Sequence, residues 1–229
     1  MIFGNLVDCL LFNPDEYEKR YAINPEFNRR SIEGKAAEAE WMKQNEGRVF
    51  IENDDKLLAD KLVLRLKSHK EASELINSTT STQDRKTFTD AETGLPIVSV
   101  RDGYAEVDRR PIIWDLKTAR DASNDGFMRD AGQLGYPLQK HIYCMAEIMT
   151  RGVFPEFRFV VVEKTPPYAI NVFRPDSRFD EYGKMMYRKS LDRIKFCYEN
   201  DCFDLDYLFM APAAYNMLSV SPWLLKNID

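Results

Sequence analysis

The stretch RRPIIWDLKTARDAS, residues 109–123, combines an apolar strand with a charged end. Its apolar run PIIW leads directly into Asp115, Leu116 and Lys117. Because side-chain direction in a strand repeats every second residue, Asp115 and Lys117 point to the same side. An acid and a lysine in this position form either an ordinary ion pair where a strand meets solvent or part of a catalytic site. The rest of the sequence helps to distinguish these two interpretations.

An acidic residue on the preceding predicted strand completes a candidate site. Asp102 lies thirteen residues before Asp115, a spacing that places the two side by side at one end of a hairpin. Converging carboxylates repel one another unless a cation lies between them, and oxygen ligands at an open site suit Mg²⁺ or Mn²⁺. Lys117 on the same face would hold and polarise an attacking water, which fits phosphodiester hydrolysis. Asp108, seven residues before Asp115, is a second candidate that only a tight turn would bring close.

The composition is that of an ordinary soluble globular protein. The chain has 229 residues and a mass of 26.7 kDa, with 44% hydrophobic and 30% charged residues, which suits one domain. A net charge of -5 and a pI of about 5.3 argue against a protein that coats nucleic acid through overall charge, but not against a local basic channel.

The lack of a recognisable targeting signal and the spacing of the cysteines favour a cytoplasmic protein. No window reaches the roughly 18 apolar residues of a membrane span, so no membrane association is expected. The opening segment has no basic leader or cleavage site, so we predict no signal peptide. The four cysteines lack C-x-x-C spacing, which makes zinc unexpected and predicts reduced thiols.

Hydrophobic periodicity predicts helices, then a meander of strands, then alternating helices and strands. Helices are expected over residues 31–47, starting at a capping Ser31, and over 53–69, 137–151 and 177–200. The polar segment NSTTSTQDR, residues 77–85, is predicted to form a surface loop. Strands are expected over 86–102, in a hairpin turning at AETG, and over 109–118, 156–164 and 168–175.

This order predicts an α/β or α+β domain whose mixed central sheet is flanked by helices. We expect a single domain over residues 1–229. It has a helical N-terminal part (1–80), a sheet core that carries the catalytic residues (86–175), and a C-terminal helix with a tail (176–229).

Several stretches in this order make the sequence familiar. They are FGNLVDCLLFNPDEYEKRYAINPEFNRRSIEGKAAEAE, DAETG, DLKTA, YPLQKHIY, VVVEKTPPYAINVF and LSVSPWLLKN. Together they resemble the PD-(D/E)XK nuclease superfamily, and within it the nuclease domain of exodeoxyribonuclease VIII and its phage relatives. The resemblance implies a restriction-endonuclease-like core and a divalent metal, Mg²⁺ or Mn²⁺.

The resemblance also implies roles for individual residues. Asp102 and Asp115 would bind the metal together with the backbone carbonyl of Leu116, and Lys117 would position the nucleophile. Gln139 and Tyr143 match a Q-x-x-x-Y motif of the following helix, where a spacing of four puts both on one face. A hydrogen-bonded helix surface is the alternative for these two.

The sequence departs from the family pattern at three places near the predicted site. Asp8 follows Gly4 where relatives carry a metal-binding histidine, so Asp8 is either a replacement ligand or a helix-surface acid. The tripeptide Val100-Arg101-Asp102 lacks the family's proline. Gln83 stands where relatives have glutamate. These departures motivate the alternative of a protein that keeps the fold without catalysis.

Two groups of basic residues are candidates for DNA contact. Arg29, Arg30 and Lys35 match a stretch typical of the family and would grip a DNA phosphate, although a capped helix start with solvated arginines explains them equally well. The predicted last helix carries a run of five basic residues, which is either a solvated face or a DNA contact: Lys184, Arg188, Lys189, Arg193 and Lys195.

We therefore expect a metal-dependent exonuclease that degrades linear double-stranded DNA from its ends. The resemblance implies 5′ to 3′ polarity, a role in recombination or phage DNA processing, a single-strand annealing protein as partner and a homo-oligomeric ring of three or four subunits. The alternatives are an endonuclease of the same superfamily and a catalytically degenerate DNA-binding or assembly protein.

Overall fold

A computed structural model describes residues 2–203. The helices are α1 (Ile2–Phe12), α2 (Tyr17–Arg20), α3 (Ile32–Gln44), α4 (Asn53–Ser68), α5 (Lys70–Asn77), α6 (Asn124–Gln133), α7 (Tyr136–Arg151) and α8 (Ser177–Asn200). The strands are β1 (Tyr21–Ile23), β2 (Val49–Ile51), β3 (Thr79–Thr89), β4 (Pro96–Val107), β5 (Arg110–Ala119), β6 (Glu156–Glu163) and β7 (Ile170–Phe173). The LSVSPWLLKN stretch and the rest of the predicted tail lie outside the described residues.

The main sheet has five strands in the order β3-β4-β5-β6-β7. All neighbours are antiparallel except β5 and β6, which run parallel. A parallel neighbour needs a crossover connection, which α6 and α7 supply. The carboxyl ends of β5 and β6 therefore meet at the same edge of the sheet.

Alternating side chains of the neighbouring strands β5 and β6 contribute to a hydrophobic core on each face of the sheet. Trp114 and Leu116 of β5 face a core shared with α1, α4 and α5. Ile113 of β5 and Val161 of β6 face the second core, shared with α6 and α7. Because helices cover both faces, β5 and β6 are nearly continuous apolar runs. The mixed α/β fold, with its mixed sheet flanked by helices, confirms the predicted fold class.

The prediction of a loop over residues 77–85 is wrong, because β3 begins at Thr79. The segment is rich in threonine, a β-branched residue that favours strands, and β3 is an edge strand with alternating burial. The Thr79 hydroxyl accepts a hydrogen bond of 2.9 Å from the indole of Trp114. Polar composition therefore marked the exposed face of an edge strand and not a loop.

Several further elements were not predicted individually, among them two short strands and a helix. Strands β1 and β2 form a short parallel pair outside the main sheet, and α6 fills the segment after β5, capped by the Ser123 hydroxyl. The hairpin turn at AETG is confirmed by the pairing of Thr89 with Pro96.

The chain divides into one compact unit that ends at Arg188 and a second that begins at Lys189. The main sheet and its flanking helices belong to the first unit. Within the described residues, no helix is both long enough and apolar enough to span a bilayer.

Candidate active site

Asp102 of β4 and Asp115 of β5 meet where the two strands begin to separate. The ladder runs up to the pair Gly103–Trp114, which leaves Asp102 beside Asp115. Their carboxyl groups lie close enough for the charge of Asp102 to raise the pKa of Asp115, and Asp102 Oδ2 accepts a bond of 2.9 Å from the Leu116 amide. The structure therefore brings together the two acids that the sequence analysis paired.

Crowding and burial shift the titration of both acids. Burial, followed by the charge of Asp102, raises the pKa of Asp115 to about 7. Burial also raises the pKa of Asp102, against the opposing effect of the Leu116 hydrogen bond. A positive charge nearby lowers the pKa of a carboxyl group, so these two acids form a site that favours a bound cation.

Lys117 supplies one positive charge on the same face of β5. Its Nζ lies 2.5 Å from Asp115 Oδ2 and 4.5 Å from the centre of the Tyr136 ring. Burial is the largest single influence and lowers the pKa of Lys117, but the charge of Asp115 and the hydrogen bond to it, with smaller contributions from Tyr136 and Asp102, together outweigh it, and the net shift is upward. The amine is therefore a protonated donor that is only 16% exposed.

Gln139 and Tyr143 project from α7 toward the same acid. Gln139 Nε2 donates to Asp115 Oδ1 at 3.3 Å and to the Tyr143 hydroxyl at 2.9 Å. Burial raises the pKa of Tyr143, so its phenol stays neutral. These contacts place the predicted Q-x-x-x-Y pair against Asp115.

Asp8 of α1 lies within electrostatic reach of the paired acids. Burial raises its pKa to about 8, and the charges of Asp102 and Asp115 add to the shift. The first turn of α1 packs against the end of β5, since a Cβ on Gly4 would lie 3.8 Å from Thr118 Oγ1. Asp8 is thus not an isolated helix-surface acid.

The chemistry of these residues fits a hard divalent ion, although their present arrangement pairs them with one another. Asp8, Asp102, Asp115 and the Leu116 carbonyl offer the oxygen ligands that Mg²⁺ and Mn²⁺ prefer. Among residues 2–203, no three or more acidic, histidine or cysteine side chains are arranged so that they could hold a metal ion. Protein donors occupy the carboxylates instead, namely Lys117 on Asp115 and the Leu116 amide on Asp102.

Gln83 of β3 is a neighbour of the site that the sequence analysis noted only as a departure. Its Nε2 donates to Asp102 Oδ1 at 3.3 Å, and its backbone has a positive φ of 50°. The pairs Thr82–Gly103 and Asp84–Arg101 place it opposite Asp102. The hairpin register contained this signal, but the loop predicted over 77–85 concealed it.

A buried ion-pair network next to Asp102 was also missed. Glu147 of α7 is fully buried and is contacted by Arg101 of β4, by Lys86 Nζ at 3.6 Å and by Arg151 Nη1 at 3.3 Å. Glu147 continues the four-residue spacing of Gln139 and Tyr143 along α7, and this spacing is the signal that would have found it.

Asp108 does not reach the paired acids. It lies with Arg109 in the exposed two-residue turn between β4 and β5, where both residues have positive φ. Four ladder pairs separate this turn from Gly103–Trp114, so the structure brings Asp102, and not Asp108, to Asp115.

The predicted DNA-contacting residues near α3 have partners or surroundings of their own. Arg29 forms a two-pronged ion pair with Glu38, with N–O distances of 2.7 and 3.0 Å, and the Ser31 hydroxyl caps α3. Arg30 and Lys35 are exposed. None of the three basic residues bonds to the acids in the described part of the chain. On α8, Arg188 pairs with Asp90 and Glu92.

Comparison with known proteins places the chain in a family. The model of a PDDEXK-like domain of unknown function (DUF3799) matches residues 1–203. No curated protein matches the chain significantly. The crystal structure of a "Putative exonuclease" from Eubacterium rectale is 13% identical, with a TM-score of 0.55 over 95% of this chain and 76% of that one, and so shares the fold. The crystal structure of SSO0001 is 16% identical, with a TM-score of 0.34 over 81% of this chain and 86% of that one. With residues 1–203 matched by the family model, this chain belongs to the PDDEXK-like domain family of unknown function.

Proposed function

We propose that the protein is a divalent-metal-dependent nuclease. The observation that carries the proposal is the meeting of Asp102 and Asp115, with the Lys117 amine 2.5 Å from Asp115. Membership of a PDDEXK-like family supports it. Two acids and a lysine at the end of paired strands are suited to the hydrolysis of a phosphodiester.

Each side chain has a defined task in this proposal. Asp102 and Asp115, joined by Asp8 and the Leu116 carbonyl, would hold Mg²⁺ or Mn²⁺, and a bound ion would supply Lewis-acid stabilisation of charge on the phosphoryl group. Lys117 donates hydrogen bonds that orient the attacking water toward phosphorus. Gln139 holds Asp115 in place and is itself bonded to Tyr143.

The substrate that we favour is linear double-stranded DNA, digested from its ends in the 5′ to 3′ direction during recombination or phage DNA processing. The resemblance to exodeoxyribonuclease VIII supports this choice, as does the name of the Eubacterium rectale protein. By the same resemblance, the protein would work as a ring of three or four subunits beside a single-strand annealing protein, and the spacing of its cysteines favours the cytoplasm. The mass of the native protein in solution would then be three or four times the 26.7 kDa of one chain.

Digestion of linear duplex DNA with Mg²⁺ or Mn²⁺ tests the proposed activity. We expect Asp115→Ala and Lys117→Ala each to reduce the rate by about a hundredfold or more, because each removes charge stabilisation in the transition state. Asp108→Asn, which removes an exposed negative charge from the distant turn and tolerates the positive φ of this position, is the matched control and should leave the rate unchanged. Equal rates for the wild type and the Lys117→Ala variant would refute the proposal.

The form of the DNA separates the alternatives. Closed circular DNA should resist an exonuclease, whereas an endonuclease would cut it, and a label at either end of a linear strand reports polarity. The departures at Asp8 and Gln83 favour the second candidate, a DNA-binding or assembly protein without catalysis. Tight binding of duplex DNA with no nucleotide release in either metal would support that candidate.

A further inference from the structure

A polar cleft of about 360 Å³ opens at the end of β5, beside the paired acids. Lys117 and Tyr136 belong both to this cleft and to the surroundings of Asp115. Beyond them the cleft is lined by Arg120, Lys164, Asp130 and Gln133, among others. A DNA strand bound at Lys117 would therefore have room to continue across the cleft.

The parallel pairing of β5 and β6 brings two cations side by side in this cleft. The last ladder pair is Ala119–Glu163, and the Lys164 amide donates to the Ala119 carbonyl at 3.1 Å. Arg120 and Lys164 are the next residues of the two strands, and both side chains are exposed. Sheet topology, and not sequence proximity, makes them neighbours.

Neither cation is neutralised by an ion pair within residues 2–203. Two acids next to them in the chain are engaged by backbone amides: Glu163 Oε1 accepts from Ala122 at 2.9 Å, and Asp121 Oδ1 accepts from Ser123 at 2.8 Å. Asp130 also lines the cleft, but it pairs with neither Arg120 nor Lys164. Two adjacent positive charges without a carboxylate partner attract an anion.

We propose that Arg120 and Lys164 bind a backbone phosphodiester of DNA. This phosphodiester is the neighbour, on the same strand, of the one that is cleaved. This inference rests on the proposed function in that it takes DNA as the ligand. Arginine binds phosphate through two parallel hydrogen bonds, and lysine adds a point charge. The cleft thereby fixes the register of the strand, while Lys117 and the acids act on the neighbouring phosphate.

Equilibrium binding of a short duplex tests the site, with Ca²⁺ replacing Mg²⁺ to limit digestion. The double variant Arg120→Ala/Lys164→Ala should bind about tenfold more weakly at about 100 mM salt, and its plot of log affinity against log salt should be shallower by about one. The control Arg65→Ala/Lys67→Ala loses the same charges from exposed positions on α4, across the sheet. It should bind like the wild type.

Neutral methylphosphonate linkages, placed one at a time along the strand, locate the contact. One internal position should weaken binding by the wild type but have no further effect on the Arg120→Ala/Lys164→Ala variant, because the contact is already lost. Duplexes with and without a terminal 5′-phosphate distinguish the source of the phosphate. A loss confined to the terminal phosphate would overturn the proposal.

The outcomes separate this inference from the nuclease proposal. If the wild type digests DNA but the double variant keeps its affinity and salt dependence, the phosphate site is wrong and the nuclease proposal stands. If binding changes as expected but the wild type releases no nucleotides, the phosphate site stands and the catalytic proposal falls. Failure of the wild type to bind duplex DNA refutes the phosphate site.

Discussion

At the scale of single residues, Asp115 is held by three neighbours that differ in charge. Lys117 contacts one carboxylate oxygen, Gln139 donates to the other, and the negative charge of Asp102 acts on the group. Burial in this setting favours the neutral acid, whereas a bound cation would favour the carboxylate. The local balance of charge therefore decides how well the site holds a metal ion, and residues that touch the acids tune that balance.

Gln83→Glu tests this balance directly, since Gln83 donates to Asp102. The change adds a carboxylate to a crowded acidic group. We expect it to lower the free energy of unfolding by about 1–2 kcal/mol without divalent ions. Added Mn²⁺ should then raise the melting temperature more than in the wild type, because ion binding stabilises the folded state.

The control for this change is Gln44→Glu, at an exposed glutamine of α3. It should shift stability only slightly and leave the response to Mn²⁺ as in the wild type. An equal response of the Gln83→Glu variant and the wild type would show that position 83 has no influence on the ion.

At the scale of elements, α7 aligns three strands around the site. Its residues 139, 143 and 147 lie on one face. Gln139 donates to Asp115 of β5, and Glu147 pairs with Arg101 of β4 and Lys86 of β3. Arg101 directly precedes Asp102, so the buried ion pair anchors the strand that carries the first acid. A buried ion pair is costly to break, because it leaves charges without partners.

Glu147→Gln should lower the free energy of unfolding by about 3 kcal/mol, since Lys86, Arg101 and Arg151 lose their shared buried carboxylate. The half-exposed Asp84 then remains as the only acid paired with Arg101 and Lys86 in the described part of the chain. Chemical denaturation measures the loss. Glu46→Gln, at an exposed glutamate between α3 and β2, should change stability by less than about 0.5 kcal/mol. A Glu147→Gln variant as stable as the wild type would mean that the network does not hold α7 to the sheet.

At the scale of the whole molecule, the turn between β3 and β4 is hydrogen-bonded to α8. Asp90 accepts hydrogen bonds from Arg188 at 2.9 and 3.1 Å and from the Tyr187 hydroxyl at 3.2 Å. These contacts join segments nearly one hundred residues apart within the first unit. The hydrogen bond from Arg188 is the main cause that lowers the pKa of Asp90.

A lowered pKa makes this contribution depend on pH. The folded protein keeps Asp90 ionised below its ordinary pKa of 3.8, whereas the unfolded chain takes up the proton first. The stabilisation is therefore complete well above pH 4 and declines as the pH falls below that value. Asp90→Asn should cost about 2–4 kcal/mol at about pH 7 and less at about pH 3.

Denaturation of the wild type and the Asp90→Asn variant at both pH values measures this difference. Asp108→Asn is the control, because Asp108 is exposed and asparagine also tolerates its positive φ. The control should show a small effect that is the same at both pH values. A constant cost of Asp90→Asn across the pH range would contradict the assigned ion pair.

Local regularities of the sequence determined the outline of the fold and the core of the candidate site. Period-two alternation places Asp115 and Lys117 on one face, the hairpin spacing sets Asp102 beside Asp115, and a spacing of four pairs Gln139 with Tyr143. Each of these relations depends on the geometry of a single element or of two adjacent strands.

Tertiary structure alone decided the rest. Gln83 joins the site only when the edge strand adds to the sheet, Arg101 meets Glu147 only when α7 packs across β4, and Arg120 meets Lys164 only through the crossover between parallel strands. Their members lie between 19 and 46 residues apart. Local spacing marks Gln83 and Glu147 as candidates, but over such separations it does not fix the partner, so only the packing of whole elements brings the members of each pair together.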